Sequence, residues 1–339
     1  MATFTHDGTE NRMRWDRRKR DFMEVWYATA NHRPSGVGVW FRYTLTSSTD
    51  APAYCELWGF AFDPNGKSSF AAKIRFPIDQ LGSSNGRDDG ALVRIGDAWL
   101  SENHLEGRVT KDDRALEWSL DFTPFDGCFQ HIPERLRGRV EKRISMVCSP
   151  NLSVPFFGTV RIDDDELVFD GELGCQSHRW GRQHSDTWSW AHCSTFDDGA
   201  DAIFEGVAAR TSIGRVPAPT TTLVFLRYEG IDLAFNDLKW ALRAKSRYEL
   251  PTWAFSARNE SFKIAGAARA TVDRFVQVSY ADPNGSSRFC VNSEIADLAI
   301  EIYRREGPAW RHHGSLTALR TAHLEFGRRE PFPELPVTL

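Results

Sequence analysis

No stretch of this 339-residue chain approaches the roughly 20 consecutive apolar residues that a membrane-spanning helix needs. The opening segment, MATFTHDGTENRMRWDRRKRDF, has no apolar run after its charges, so a secretory signal is not expected. Charge of neither sign dominates: 42 Lys and Arg face 46 Asp and Glu, and the net charge of −4 gives no signal for nucleic acid or another polyanion. The basic run Arg17–Arg20 suits peripheral contact with anionic lipid, but Asp16 and Asp21 beside it favour a solvated arm. The six cysteines (Cys55, Cys128, Cys148, Cys175, Cys193 and Cys290) are scattered without a CxxC pair. A chain this long needs no disulfide staples, so reduced, buried thiols in a cytoplasmic protein are expected.

Methionine is scarce, at 4 residues, whereas 23 Phe and 12 Trp supply broad, stiff apolar surface. Convincing helices are also few, and period-2 alternation takes their place. In ALEWSLDFTP, Leu116, Trp118, Leu120 and Phe122 share one face while Glu117, Ser119 and Asp121 share the other, as a half-buried strand requires. VWFRYTLT, LWGFAFD, LVFLRYEG and FVQVSYAD follow the same rule less cleanly. Asn292–Glu306 has spacing compatible with a helix, but DLAIEIY alternates and we assign a strand. DPNG occurs at Asp63–Gly66 and Asp282–Gly285, and TKDDR, IDDDE and FDDGAD are further hairpin turns. Many short strands without crossover helices predict an all-β fold of antiparallel sheets, closed as barrels that can take a ligand. The expected division is a flexible basic arm over 1–20, a first barrel over 21–171 and a second over 172–339.

One stretch, GCQSHRWGRQHSDTWSWAHC (174–193), holds three of the ten histidines and three of the twelve tryptophans. His178, His184 and His192 match no compact zinc signature, although their even separations would put them on one face of an undistorted strand. No metal is expected. Ser177, Ser185 and Cys193 lie near histidines, but no G-x-S-x-G elbow is present and adjacent strand residues point to opposite faces. Pocket lining fits better. Asp186, Trp188, Trp190 and His192 alternate with Thr187, Ser189, Ala191 and Cys193, so one face is large and titratable and the other small. The large face is expected to line a barrel interior, where indoles and a carboxylate can stabilise positive charge on an apolar ligand. A satisfied aromatic core with an Asp–His hydrogen bond explains the same residues.

The segment PFFGTVRIDDDELVFDGELGCQSHRWGRQHSDTWSWAHCSTF resembles the central signature of the carotenoid 1,2-hydratase-like superfamily, which includes AttH-like and tocopherol-cyclase-like proteins and certain fungal Diels–Alderases. The shared elements are H-x-W-G and a following W-x-W. AHLEFGRREPFPELP is similar to the superfamily's C-terminal strand, and EVWYATA…GVWFRYTL to its first hairpin. The resemblance implies two lipocalin-like antiparallel β-barrels in tandem, with a hydrophobic ligand between or within them and no cofactor. Its members hydrate, cyclise or simply bind isoprenoids, polyenes and prenylated quinones.

Carried over residue by residue, the resemblance makes His178 the general acid or ligand-orienting group and Trp180 its aromatic neighbour. The acid expected on the following strand is missing, since DAIFEGVAAR offers Phe204 and Glu205 with Gly206 in its place. Asp186 and Glu205 are the nearest candidate partners. Trp188, Trp190, His192, Phe204 and Gln176 complete the expected substrate-lining set, and Arg179 and Arg182 are expected to form ion pairs at the junction. Two functions follow: a cofactor-independent enzyme acting on a hydrophobic isoprenoid, polyene or prenylated substrate, or a non-catalytic carrier of such a molecule. A three-histidine metalloenzyme is the weaker third.

Overall fold

The computed structural model describes residues 4–6, 8–67, 69–83, 90–133, 137, 141, 145–199, 201–213 and 216–339. Alternation translates into strands as expected. Arg114–Phe122 buries Leu116, Trp118, Leu120 and Phe122 on one face, and Ser287–Glu306 is one long strand. Both DPNG segments close as tight turns, with the amides of Gly66 and Gly285 donating to the carbonyls of Asp63 and Asp282 at 2.9 and 3.0 Å.

Among the described residues, the strands form two large antiparallel sheets, one of 13 strands and one of 10. In the first, Phe22–His32 pairs on one side with Val37–Ser47 and on the other with the long return strand Asp165–Gly181. In the second, Thr187–Cys193 lies between Ile203–Arg210 and Ala309–Arg328. Each sheet curls around its own apolar core. Trp26, Phe41, Leu57 and Trp118 belong to the first core, and Ala191, Phe204, Trp253 and Phe255 to the second. The architecture is two lipocalin-like β-barrels in tandem.

The first sheet runs through Gly181 and the second begins at Thr187, so the changeover falls ten residues beyond the expected Gly171. Gly181 makes the bend possible: its φ of 148° suits glycine, and a Cβ there would lie 2.6 Å from Ser145 Cα. Residues 10–15, placed by sequence in a flexible arm, are instead laid across the first barrel, with Asn11 and Trp15 buried.

The barrels pack outer face against outer face. Trp40, Trp58, Phe60 and Phe62 of the first meet Trp188, Val278, Tyr280 and Ile295 of the second in a separate apolar cluster. The approach is close at Gly38, where a Cβ would lie 2.5 Å from the Glu294 carbonyl oxygen. This seam also buries the outward-facing polar residues of both sheets.

Candidate active site

The three histidines of the motif do not converge. His178 points into the first barrel, His184 sits on the connection and His192 lies on the outer face of the second barrel. They bond to three different carboxylates, Glu24, Asp282 and Glu205. Among the described residues, no group of three or more His, Cys, Asp and Glu side chains is placed to hold a metal ion.

His178 is fully buried, with Nε2 3.0 Å from Glu24 Oε1 and Nδ1 2.7 Å from the Glu10 carbonyl oxygen. Trp26 stacks on its ring at 4.6 Å and Trp180 lies tilted against it at 4.9 Å. The acid answering His178 is therefore Glu24 of the first hairpin, not Asp186 or Glu205. Glu24 also accepts the backbone N–H groups of Arg14 and Trp15 at 2.6 and 3.0 Å. Gln176 exchanges side-chain hydrogen bonds with Asn11 at 2.9 and 3.1 Å, and the Trp26 indole donates to the Asn11 carbonyl. Each of these polar groups is engaged in tying down the N-terminal segment. A cleft of about 210 Å³ nearby is lined by Glu10, Arg14, Arg137, Glu141 and Trp180, but His178 is not part of its wall.

Two other expected residues also lie elsewhere. Asp186 accepts from Arg329 Nε at 2.9 Å and from the Ser212 amide at 2.6 Å, at the junction of the barrels. Phe204 turns into the second core, stacked on Phe255 at 4.9 Å. Arg182 pairs with Asp21, as expected of a junction arginine. The orientation of the WSW strand is the reverse of expectation. Its small residues Ala191 and Cys193 fill the second barrel, while Trp188, Trp190 and His192 face outward into the seam. The interior is already filled by rings from other strands, such as Trp253 and Phe255, so small residues are what it accepts here.

In the seam, Glu205 becomes the centre of a buried cluster. It pairs directly across the sheet with His192, and its Oε2 lies 3.0 Å from His192 Nδ1. Its Oε1 accepts the Trp190 indole N–H at 2.7 Å and lies 2.6 Å from Nε2 of His131, which the first barrel contributes. Burial alone would raise the Glu205 carboxyl, but the hydrogen bonds from His131 and His192 prevail and hold it at about 2. Burial likewise disfavours the His192 imidazolium, yet Cys175 and Glu205 outweigh it and push His192 up to about 9. Nδ1 of His131 and Nε2 of His192 are buried without a hydrogen-bond partner. Tyr27 meets Trp190 edge-on at 5.9 Å, and Phe129 packs on His131 and Phe225 at 4.9 Å each.

A second acid–imidazole pair adjoins the first. His323 bonds to Glu294, and its ring centre is 5.8 Å from that of His192. Burial lowers His323 to about 3 and, with Glu325 nearby, raises Glu294 well above the carboxylate range. Both directions favour the uncharged forms of the pair.

Sequence reasoning missed Glu24, Tyr27, His131, Cys175, Glu294 and His323. Two of them carried a usable signal. Glu24 is an acid in an otherwise apolar first hairpin, and in AHLEF His323 and Glu325 share one face of a strand. His131 carried none, because its partner is 74 positions away in the other barrel.

Comparison with known proteins agrees with this architecture. A putative AttH from Nitrosomonas europaea superposes with a TM-score of 0.58 at 13% identity, covering 96% of this chain and 98% of that one. Kievitone hydratase from Nectria haematococca gives 0.54 at 9% identity, covering 97% and 94%. An uncharacterized protein of Mycobacterium tuberculosis, matched in strains CDC 1551 / Oshkosh and H37Rv, is 25% identical over 314 residues, 91% of this chain and 86% of its own length. The model of the tocopherol cyclase-like family matches residues 157–328, just over half of the sequence and inclusive of the whole H-x-W-G to W-x-W stretch. The chain belongs to the tocopherol cyclase-like family.

Proposed function

We propose that the chain is a cofactor-independent enzyme that protonates a hydrophobic, alkene-bearing substrate in the seam between its barrels. The substrate class is an isoprenoid, polyene or prenylated molecule. The observation that carries this reading is His192: a fully buried imidazole, paired through Nδ1 with Glu205, whose Nε2 has no partner. Protonated, it is a general acid facing aromatic walls. Transfer of the Nε2 proton to one alkene carbon leaves a cation on the other, which the Trp190 and Tyr27 rings and the Glu205 carboxylate stabilise. Return of a proton from that cation to Nε2 completes an isomerisation or, after ring closure, a cyclisation; capture of water, with one of its protons returned to Nε2, completes a hydration.

The family's name speaks for cyclisation and one structural neighbour is a hydratase, which supports both outcomes of a single protonation. In this reading His192 is the acid, Glu205 its counter-ion, and Trp190 and Tyr27 the cation-tolerant walls. Trp180, Gln176 and His178 hold the N-terminal segment in place, and Trp188 closes the seam through its bond to Glu325. Six free, buried cysteines suit the reducing cytoplasm. Among the described residues, no helix is long and apolar enough to cross a membrane.

The test is incubation of the protein in D₂O with prenylated phenols and linear polyenes, followed by mass spectrometry. Carbon-bound deuterium in product, lost in His192→Gln, supports the reading. Stoichiometric recovery of an unchanged ligand, with no deuterium at carbon, would identify a carrier instead.

A further inference from the structure

We infer that Arg42, Lys73 and Trp58 form a cationic subsite for the anionic head group of a long-chain ligand whose apolar tail enters the seam. Only the course of the tail rests on the proton-transfer reading. Strand register builds the subsite: Tyr27, Arg42, Trp58 and Lys73 form one cross-strand row on the outer face of the first barrel. The Arg42 guanidinium lies 5.1 Å from the Trp58 ring centre, and the Lys73 ammonium lies 4.5 Å from it. Tyr280 of the second barrel covers Arg42 at 4.2 Å. Two cations therefore converge on one indole at the edge of the seam.

Their counter-charge is missing. Arg42 is only 5% exposed, and its Nε donates to Thr44 Oγ1 at 3.0 Å. Among the described residues, neither Arg42 nor Lys73 forms an ion pair, and the Trp58 indole N–H is buried without an acceptor. The neighbouring acids are engaged elsewhere: Glu56 with Arg75 at 2.8 Å, Asp282 with His184 and Arg288, and Glu325 with the Trp188 indole. Arg179, expected to pair at the junction, also has no ion pair among the described residues. It stands in the row of Val25 and Thr44, the side to which Arg42 leans. Stacking on aromatic rings offsets part of the cost of burying a guanidinium but leaves its terminal N–H groups without acceptors. A carboxylate or phosphate group supplies both the charge and the acceptor oxygens.

The same row gives the direction of the tail. Tyr27 adjoins Arg42 and meets Trp190 edge-on at 5.9 Å. Tyr27 and Trp190 are half-buried although His192 and Glu205 beside them are fully enclosed, so the seam keeps an opening along its aromatic walls. Lys73, at the other end of the row, is half-buried as well. From Tyr27 to Lys73 is three strand spacings, about 14 Å along the sheet. That length fits an amphiphile with its head at Lys73 and Arg42 and its chain across Tyr27, and a small free anion would leave the aromatic walls uncovered.

The experiment is a fluorescence titration of the full-length protein with cis-parinaric acid, a polyene carboxylate, and with its uncharged methyl ester. The acid should bind about tenfold more tightly than the ester. Arg42→Gln and Lys73→Met should each remove most of that preference and leave ester binding unchanged. Lys73 is half-buried, so Lys73→Met reports even where Arg42→Gln folds poorly. Equal affinity for acid and ester, no binding of either, or a preference unchanged in Lys73→Met would overturn the inference. Displacement of the acid by an equal concentration of inorganic phosphate would also overturn it, because the site would then serve a free anion. Binding needs no turnover, so the two readings fail separately. Preference for the acid without deuterium at carbon keeps the subsite and removes the proton transfer, and deuterium in product without that preference does the reverse.

Discussion

His192 and Glu205 stand directly opposite each other on neighbouring strands, with Nδ1 and Oε2 3.0 Å apart and both side chains buried. Their ionisations are displaced in opposite senses, His192 from 6.5 to about 9 and Glu205 from 4.5 to about 2. The pair's contribution to stability is complete between pH 4.5 and 6.5. It falls at alkaline pH as His192 loses its proton on approaching 9, and at acid pH as Glu205 is protonated toward 2.

His184 and His323, both lowered from 6.5 to about 3, act on the acid side as well. The unfolded chain protonates them near pH 6.5 and the folded one does not, so their burial costs stability as pH falls from 6.5 toward 3. Urea unfolding should therefore show maximum stability near pH 6.5, with an alkaline loss on the order of 3 kcal/mol by pH 9. His192→Gln should shrink that alkaline limb without abolishing it, because the raised Glu294 carboxyl also costs stability as pH rises above 4.5. An alkaline limb unchanged in the variant would count against a protonated His192.

Glu24 satisfies His178 and two backbone amides at once. Glu24→Ala should cost about 3–5 kcal/mol, because it leaves a buried imidazole and two N–H groups without their acceptor. Hydrogen exchange should show the loss concentrated in residues 10–15. Stability within about 0.5 kcal/mol of wild type would show that the N-terminal segment is held by other contacts.

Asp282 accepts the His184 backbone N–H at 3.0 Å and is bonded to its ring at 2.7 Å. This links the connection between the barrels to the second DPNG turn. Asp282→Ala should destabilise by roughly 2 kcal/mol, read as a lower urea midpoint. Local loosening should appear as faster exchange at residues 182–186. An unchanged midpoint would place the junction's strength in Asp186 and its arginines instead.

Gly38 lies at a close approach of the two sheets, beside the Glu294 carbonyl. Gly38→Val should push the sheets apart at a cost of about 1–3 kcal/mol. Because Asn31 donates to the same carbonyl at 2.7 Å, the seam should loosen there first. Faster exchange confined to this part of the seam is expected, and exchange matching wild type would contradict the close approach.

Much of the fold was legible because strand alternation and turn chemistry are local. Leu116, Trp118, Leu120 and Phe122 declare their face within ten residues, and the DPNG turns declare themselves within four. Which side of a strand meets which neighbour is not local. The alternation of Trp188, Trp190 and His192 with Ser189, Ala191 and Cys193 showed two unlike faces, but only rings from distant strands decided that the small one points inward. The site follows the same division. His192 and Glu205 were each visible as titratable residues on alternating strands, whereas His131 reaches Glu205 from the other barrel.

The central claim is that His192 waits as a buried proton donor, and its ionisation state tests this without a substrate. Histidine ¹⁵N chemical shifts, with His192 assigned by comparison with His192→Gln, should be followed from pH 5 to 10. The account predicts that both ring nitrogens remain protonated through neutral pH and titrate near 9. A His192 that titrates at or below its ordinary 6.5 would contradict it.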